Sequence, residues 1–371
     1  MPNTYRLMMS DRTRTEAFEK AINEIINKGD TVLDLGCGPG LLSLFACKAG
    51  AAKVYAIDQN TKIIDYGRKL AHDNGYKDKI EFISGLSYDI ELPEKVDVII
   101  SETLGTYAVD EHIIECIYDA RTRFLKKGGT IIPSEISIYI APVECPQGHN
   151  CFISGWEKDY FGFDFTSLNN SPVIAPFSCA IEKTDLLSNA ALVKKFTLKD
   201  KLSSYRKNIN FCAQRKGVIH GIGLWFEAVL SPLTTLSTAP GKPPTHWQQG
   251  LLLIQHPIEV RQNDQISVSI SYSCPQGKMI MDWAVECNDR KFEFSARQQK
   301  EQHRKLTDLN YYFHQPRLSA MCRINKEILN MCDGNRTIEE IGVHLTAEFP
   351  ENFKYLDQAI EKIAGVLESR T

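Results

Sequence analysis

The sequence predicts an α/β domain built on a parallel sheet, followed by an antiparallel β domain and a small helical segment. Three observations carry this. Short apolar strands alternate with amphipathic helices as far as Pro133, the apolar pattern then switches to period 2, and helical periodicity returns beyond residue 298. Strands covered by helices on both faces read as continuous apolar runs, whereas a half-solvated antiparallel strand alternates. The expected boundaries are 1–133, 134–299 and 300–371.

Each element follows from its own pattern. Ala17, Phe18, Ala21, Ile22, Ile25 and Ile26 recur on one face of a helix that Gly29 and Asp30 end. Strands are expected at 31–36, 53–58, 80–84 and 96–101, with helices over 40–49, 61–74 and 110–125. After Pro133, Ile136, Ile138 and Ile140 alternate with Ser137, Tyr139 and Ala141. Further strands are expected at 221–230, 250–256, 265–273, 278–286 and 290–297, as a sandwich or barrel. An insertion at about 155–185 carries Trp156, Tyr160, Phe161, Phe163 and Phe165. The polar run 298–305 reads as a linker to helices near 325–332, 337–349 and 355–370. Thr337 and Glu340 form a capping-box pattern, and Asp333-Gly334-Asn335 a turn.

Composition excludes several functions. A length of 371 residues allows two or three domains. The net charge of −3 provides no basic field for nucleic acid. The 11 cysteines are odd in number and scattered, with no C-x-x-C pair. That opposes a metal centre or disulfide framework and fits a reduced, cytoplasmic setting. The N-terminus has no apolar signal region, and no apolar run approaches the ~20 residues of a membrane span, so no membrane partner is expected.

The chemistry concentrates in two stretches. Asp34-Leu35-Gly36-Cys37-Gly38-Pro39-Gly40 leaves a strand and opens a helix. Glycines let the backbone turn tightly beside a ligand, and the helix start offers free N–H groups. Asp58 ends the next strand, where a carboxylate can accept from ribose hydroxyls. The spacing is G-x-G-x-G, not the G-x-G-x-x-G of a dinucleotide loop. It resembles motif I of class I S-adenosylmethionine methyltransferases. Alone, it could be a glycine-rich turn without a ligand.

The second stretch, Ser101-Glu102 through Glu111, follows the strand at 96–101. Two glutamates nine apart are ordinarily solvated loop charges. After motif I, SETLGTYAVDE resembles the double-E loop of protein arginine N-methyltransferases. A guanidinium is planar, carries five donors and stays protonated. Two carboxylates can fork onto it and fix its plane.

The resemblance extends over about 8–298. MMSDRTRTEAFEKAI resembles the family's first helix, Thr245-His246-Trp247 its THW loop, and WEKDYFGFDF the start of its dimerisation arm. It implies a Rossmann-like domain and a β-barrel, with a homodimer formed through the arm. Glu102, Glu111, His246 and Asp11 would be catalytic, with His246 paired to Asp11, and Trp247 and Met8 would line the arginine pocket. S-adenosylmethionine would lie over Asp34, Gly36, Cys37, Gly38, Gly40, Asp58 and Gln59, with Arg14 at its carboxylate and Ser87 and Tyr88 at the adenine edge. No metal is implied.

There are departures. The family's upstream Y-F-x-x-Y segment has no match, and Tyr5 is not a clear substitute, leaving one pocket wall unassigned. Thr103 and Thr106 replace bulkier aromatics, and Tyr88 stands where a glutamate often meets the adenine amine. The C-terminal stretch 324–350 resembles the PqqD-like modules that bind leader peptides by strand addition. A helical cap or winged-helix module competes with that reading. DNA binding is disfavoured, because 337–349 carries Glu339, Glu340 and Glu348 and no Lys or Arg.

The expected function is methyl transfer to arginine, either free L-arginine or in a peptide or protein. Two alternatives stand. One is an N-methyltransferase acting on a different small-molecule or peptide nucleophile. The other is a peptide-binding protein with a vestigial methyltransferase half.

Overall fold

A computed structural model describes residues 3–156, 159, 161–167, 177–199, 204–273, 280–295 and 320–368. The chain divides into two compact units, 1–299 and 300–371.

The first unit opens with two consecutive helices, α1 (Asn3–Ser10) and α2 (Arg12–Ile25). Asp11 separates them and caps α2 by accepting from Arg14 N at 3.0 Å. Phe18, Ala21 and Ile22 of α2 are wholly buried, as their spacing requires. Then follow β1 (Thr31–Leu35), α3 (Leu41–Ala49), β2 (Lys53–Asp58), α4 (Thr61–Asp73), β3 (Ile80–Ser84), β4 (Val96–Ser101), α5 (Ile113–Phe124) and β5 (Leu125–Ile132).

These five strands form one parallel sheet in the order β3-β2-β1-β4-β5. Chain order reverses between β1 and β4. Loops leaving neighbouring strands on the two sides of such a reversal open a crevice at the carboxyl edge of the sheet. The glycine loop leaves β1 and the two-glutamate loop leaves β4, so topology alone places both stretches on one crevice.

The antiparallel region contains β6 (Glu135–Val143), β7 (Phe177–Cys179), β8 (Ala191–Thr197), β9 (Tyr205–Cys212), β10 (Gly217–Val229), β11 (Thr235–Ser237), β12 (Gln249–Val260), β13 (Gln265–Ser273), β14 (Ile280–Cys287) and β15 (Arg290–Ser295). The expected barrel is two sheets among the described residues. One runs β7-β12-β10-β6-β8, with β11 added to β10, and the other runs β15-β14-β13-β9. Their faces meet where Trp283 of β14 donates its indole N–H to Leu253 O of β12 at 3.1 Å. Trp283 also stacks on Phe294 with ring centres 3.8 Å apart.

Strands β5, β7, β8, β9 and β11 are additions to the sequence expectation. Within the aromatic insertion, Trp156 stacks on Phe165 at 5.5 Å, and Phe161 and Phe163 are exposed. Tyr160 lies outside the described residues, as does the expected linker 298–305.

The second unit contains α6 (Ala320–Met331), α7 (Ile338–Glu348) and α8 (Leu356–Glu368). Ile324, Ile328, Ile341, Leu345, Ala359 and Ile363 form its own buried core. The capping box is present: Glu340 N donates to Thr337 Oγ1 at 3.2 Å and Thr337 N to Glu340 Oε2 at 2.9 Å. Its described elements are all helices, so among the described residues this unit presents no sheet edge for strand addition.

Candidate active site

Gly36 and Gly38 adopt positive φ, 68° and 53°. The turn brings the amides of Gly36 and Cys37 to Ile57 O at 2.9 and 3.0 Å. A Cβ on Gly36 would stand 2.7 Å from Thr103 Cγ2, so the two loops meet at a point where only glycine fits. Gly40 precedes α3 at its N-terminus. Asp58 accepts from Gly38 N at 2.9 Å and Asn60 N at 2.8 Å, which fixes its carboxylate beside the loop.

Asp34 lies beneath this loop. It accepts from Ser43 Oγ of α3 at 2.6 Å through one oxygen, and the other has no partner. Burial pushes its carboxyl up to about 7. Asp34 therefore anchors α3 and does not line the cavity.

That cavity is about 980 Å³ in volume, and its walls include Tyr5, Met8, Gly36, Asp58, Gln59, Ser87, Tyr88, Glu102, Thr103 and Glu111. A side cavity of about 40 Å³ adjoins Tyr5, Met8, Arg14, Cys37, Gly38 and Glu102.

The sequence reading assigned Arg14 and Glu102 to different ligands, and the structure joins them. Arg14 Nε donates to Glu102 Oε2 at 2.5 Å, and Nη2 meets the same oxygen. Both side chains are buried, and Arg14 Nη1 also donates to Met8 O at 3.2 Å. A buried carboxylate this tightly paired is held in one orientation.

Glu111 lies across the cavity. Burial, then the charges of Glu102 and Asp110, push its carboxyl up to about 7, against the pull of His246 and Arg14. The turn between the two glutamates is tied by Asp110, which accepts from Tyr107 N at 2.9 Å and Thr106 N at 3.2 Å. At Gly105 a Cβ would come 2.3 Å from Asp110 Oδ1, which explains the glycine three residues after the first acid.

Asp11 and His246 meet as expected. Asp11 Oδ2 accepts from both the backbone N and Nδ1 of His246, each at 2.8 Å. Burial raises the Asp11 carboxyl, but its bonds from His246 and Arg14 outweigh burial and hold it below the usual carboxylate range. Neither residue is among those lining the cavity. Trp247 likewise turns inward, only 5% exposed, with its ring 5.4 Å from Phe226 and 4.3 Å from His246.

Tyr5, His112 and Cys116 line the cavity without having been singled out as site residues. Tyr5 lines the cavity beside the glycine loop. It reaches the loop because α1 folds back over it: a Cβ on Gly38 would lie 3.1 Å from the Tyr5 ring. The only available signal was that α1 places Tyr5 one turn before Met8. Tyr88 is half exposed and donates to Cys116 Sγ at 3.6 Å, which places it at the rim.

The residues present fit S-adenosylmethionine. A glycine turn with no room for a Cβ gives close backbone approach, Asp58 offers carboxylate oxygens to a diol, and Glu102 and Glu111 line the same cavity, where their charge suits a cationic sulfonium.

Comparisons agree. The model of the arginine methyltransferase oligomerization subdomain matches residues 134–286, and that of ribosomal protein L11 methyltransferase matches 13–137. The probable protein arginine N-methyltransferase 6 of Arabidopsis thaliana is 30% identical over 313 residues, covering 72% of each chain. The protein arginine N-methyltransferase 1 of Saccharomyces cerevisiae is 33% identical over 270 residues, covering 70% of this chain and 77% of its own. Among solved structures, the Trypanosoma brucei PRMT1 enzyme–prozyme heterotetrameric complex with AdoHcy superposes with a TM-score of 0.70 at 26% identity. That match covers 78% of this chain and 98% of the other. With the glycine loop, the acidic strand end and the paired glutamates on one crevice, and relatives matched along most of their length, the chain belongs to the protein arginine N-methyltransferase family.

Proposed function

We propose that this protein transfers a methyl group from S-adenosylmethionine to a guanidino nitrogen of arginine. One observation carries the reading: Glu102 and Glu111 line the same cavity as Gly36 and Asp58. When bound, S-adenosylmethionine supplies an electrophilic sulfonium methyl. Asp58 and the glycine turn would hold the nucleoside, and Arg14 keeps Glu102 oriented. Glu102 and Glu111 fork onto the guanidinium and set the plane of the attacking nitrogen. Glu111, with its carboxyl lifted to about 7, is the group best placed to take the proton that the nitrogen sheds. Asp11 and His246 hold the α1–α2 corner, and with it Tyr5 and Met8, over the site. That is a positioning role.

The acceptor we favour is a peptidyl arginine, because a separate helical unit with its own core follows the methyltransferase. Free arginine is the competing acceptor. We also propose a homodimer, supported by the match to the oligomerization subdomain and by the exposed Phe161 and Phe163. A cytoplasmic setting is supported by the described cysteines, none of which is in a disulfide.

The test is Glu102→Gln. Methyl transfer, read by mass spectrometry with an arginine-rich peptide and free L-arginine as acceptors, should fall by at least ~10³-fold. Calorimetry should still detect S-adenosylmethionine binding. Full activity in this variant would overturn the assignment.

A further inference from the structure

Two cysteines lie close together outside the cavity. Cys145 immediately precedes the helical turn Pro146–His149, and Cys179 ends the edge strand β7. Their sulfurs are 3.6 Å apart. Both crowd the α-carbon of Gly148, where a Cβ would come 3.0 Å from Cys145 Sγ and 3.4 Å from Cys179 Sγ. Cys145 is buried, and Cys179 is partly exposed.

We infer that Cys145 and Cys179 form a redox-active dithiol that closes reversibly to a disulfide by exchange with small-molecule disulfides, stapling together the two ends of the 146–178 segment. A disulfide needs its sulfurs ~2.05 Å apart. The remaining gap must close by rotation about the cysteine side-chain bonds or by movement of the backbone. A three-residue edge strand can shift more readily than a central strand.

The exchange balances in two steps. The exposed Cys179, as thiolate, attacks one sulfur of a disulfide such as oxidised glutathione and releases one glutathione thiolate. Cys145, as thiolate, then attacks the Cys179 sulfur of the mixed disulfide and expels the second. Two protein thiols lose two electrons, glutathione disulfide gains them, and the two protons pass to the released thiolates. Partial exposure assigns the first attack to Cys179, and burial assigns the second to Cys145. Within the free dithiol, the hydrogen bond from Cys179 brings the Cys145 thiol down to about 7 despite burial, helped by the Gly148 amide and opposed by Asp185. The same bond, with burial, pushes the Cys179 thiol up, which makes the first attack the slower step.

The staple would lie beside the two-glutamate loop. Ser178 Oγ sits 3.2 Å from Thr106 Oγ1, and Cys179 pairs in register with Gln249. The next residue, Gly250, packs on the Tyr107 ring: a Cβ there would be 2.5 Å from it. In a reducing compartment such a bond is transient and serves as a switch.

The experiment equilibrates the full-length protein in glutathione buffers of rising oxidation, then quenches, alkylates and maps peptides by mass spectrometry. The expected result is a 145–179 cross-linked peptide lacking two hydrogens, lost again on reduction. Cys145→Ser should instead accumulate a glutathione adduct on Cys179, and Cys151→Ser should keep the cross-link. Full alkylation of both thiols at the most oxidising point would overturn the proposal. So would a cross-link joining Cys179 to Cys151. The wild-type map decides the matter even if a serine variant fails to fold.

Discussion

At Glu111, burial and like charge act together. Its carboxyl is lifted to about 7, first by burial and then by Glu102 and Asp110. A clamp on guanidinium needs the ionised form, so activity should rise as pH passes through that value. For one ionisation near 7, kcat/KM at pH 6 should lie about tenfold below its alkaline plateau. kcat should fall less, because a bound guanidinium draws the carboxyl back down. The stability effect has the opposite sign. A carboxyl raised above its unfolded value binds its proton more tightly in the fold. Its contribution is therefore complete below about 4.5 and is lost as pH rises towards 7. Glu111→Gln should remove that decline, so wild type minus variant, followed as Tm from pH 4 to 8, should fall across this window. Asp34, also lifted to about 7, is common to both proteins and cancels in the difference. A flat difference would mean that the carboxyl is not raised.

The α1–α2 corner is the element on which the site closes. Asp11 caps α2 and receives two bonds from His246, so one carboxylate ties the first helix to the loop before β12. Asp11→Ala removes the cap, at ~1 kcal/mol, and releases that loop. Because α1 carries Tyr5 and Met8 into the cavity wall, the variant should bind S-adenosylmethionine about tenfold more weakly by calorimetry. Asp11→Asn, which can still cap, should lose less. Equal affinity in wild type and Asp11→Ala would separate the corner from the site. The corner also shows how far the sequence can be read. Glu102, Glu111 and Asp58 were legible because each ends a buried strand or follows one in a loop of defined length. Trp247, expected at the pocket, packs inward against Phe226, because an aromatic at a loop end does so as readily as it lines a pocket. Strand β5 hides its character behind Lys126, Lys127, Gly128 and Gly129, and only Ile131 and Ile132 are buried. Strands β8 and β9 have solvated faces rich in Lys, Arg and Asn, so their hydrophobic pattern is thin. The Arg14–Glu102 pair joins residues remote in sequence, and no local pattern announces it.

At the scale of the molecule, the two compact units have separate cores, and the described residues named around the cavity belong to the first. The oligomerization match ends at residue 286, before the second unit begins. Two roles suit a unit with its own core: bringing substrate to the site, or stabilising the assembly. These roles separate on removal of 300–371. If the unit delivers a peptide, it raises the effective concentration of the acceptor, so truncation should raise KM for the peptide by about tenfold or more. kcat and S-adenosylmethionine affinity should stay unchanged, and free arginine should react at the same rate with both proteins. If it stabilises the assembly, both acceptors should slow together and light scattering should show a smaller particle. Truncation that slows neither acceptor would remove the second unit from the reaction altogether. The peptide-selective loss is the expected result, because only substrate delivery acts on KM for one acceptor while leaving the chemistry at Glu102 and Glu111 untouched.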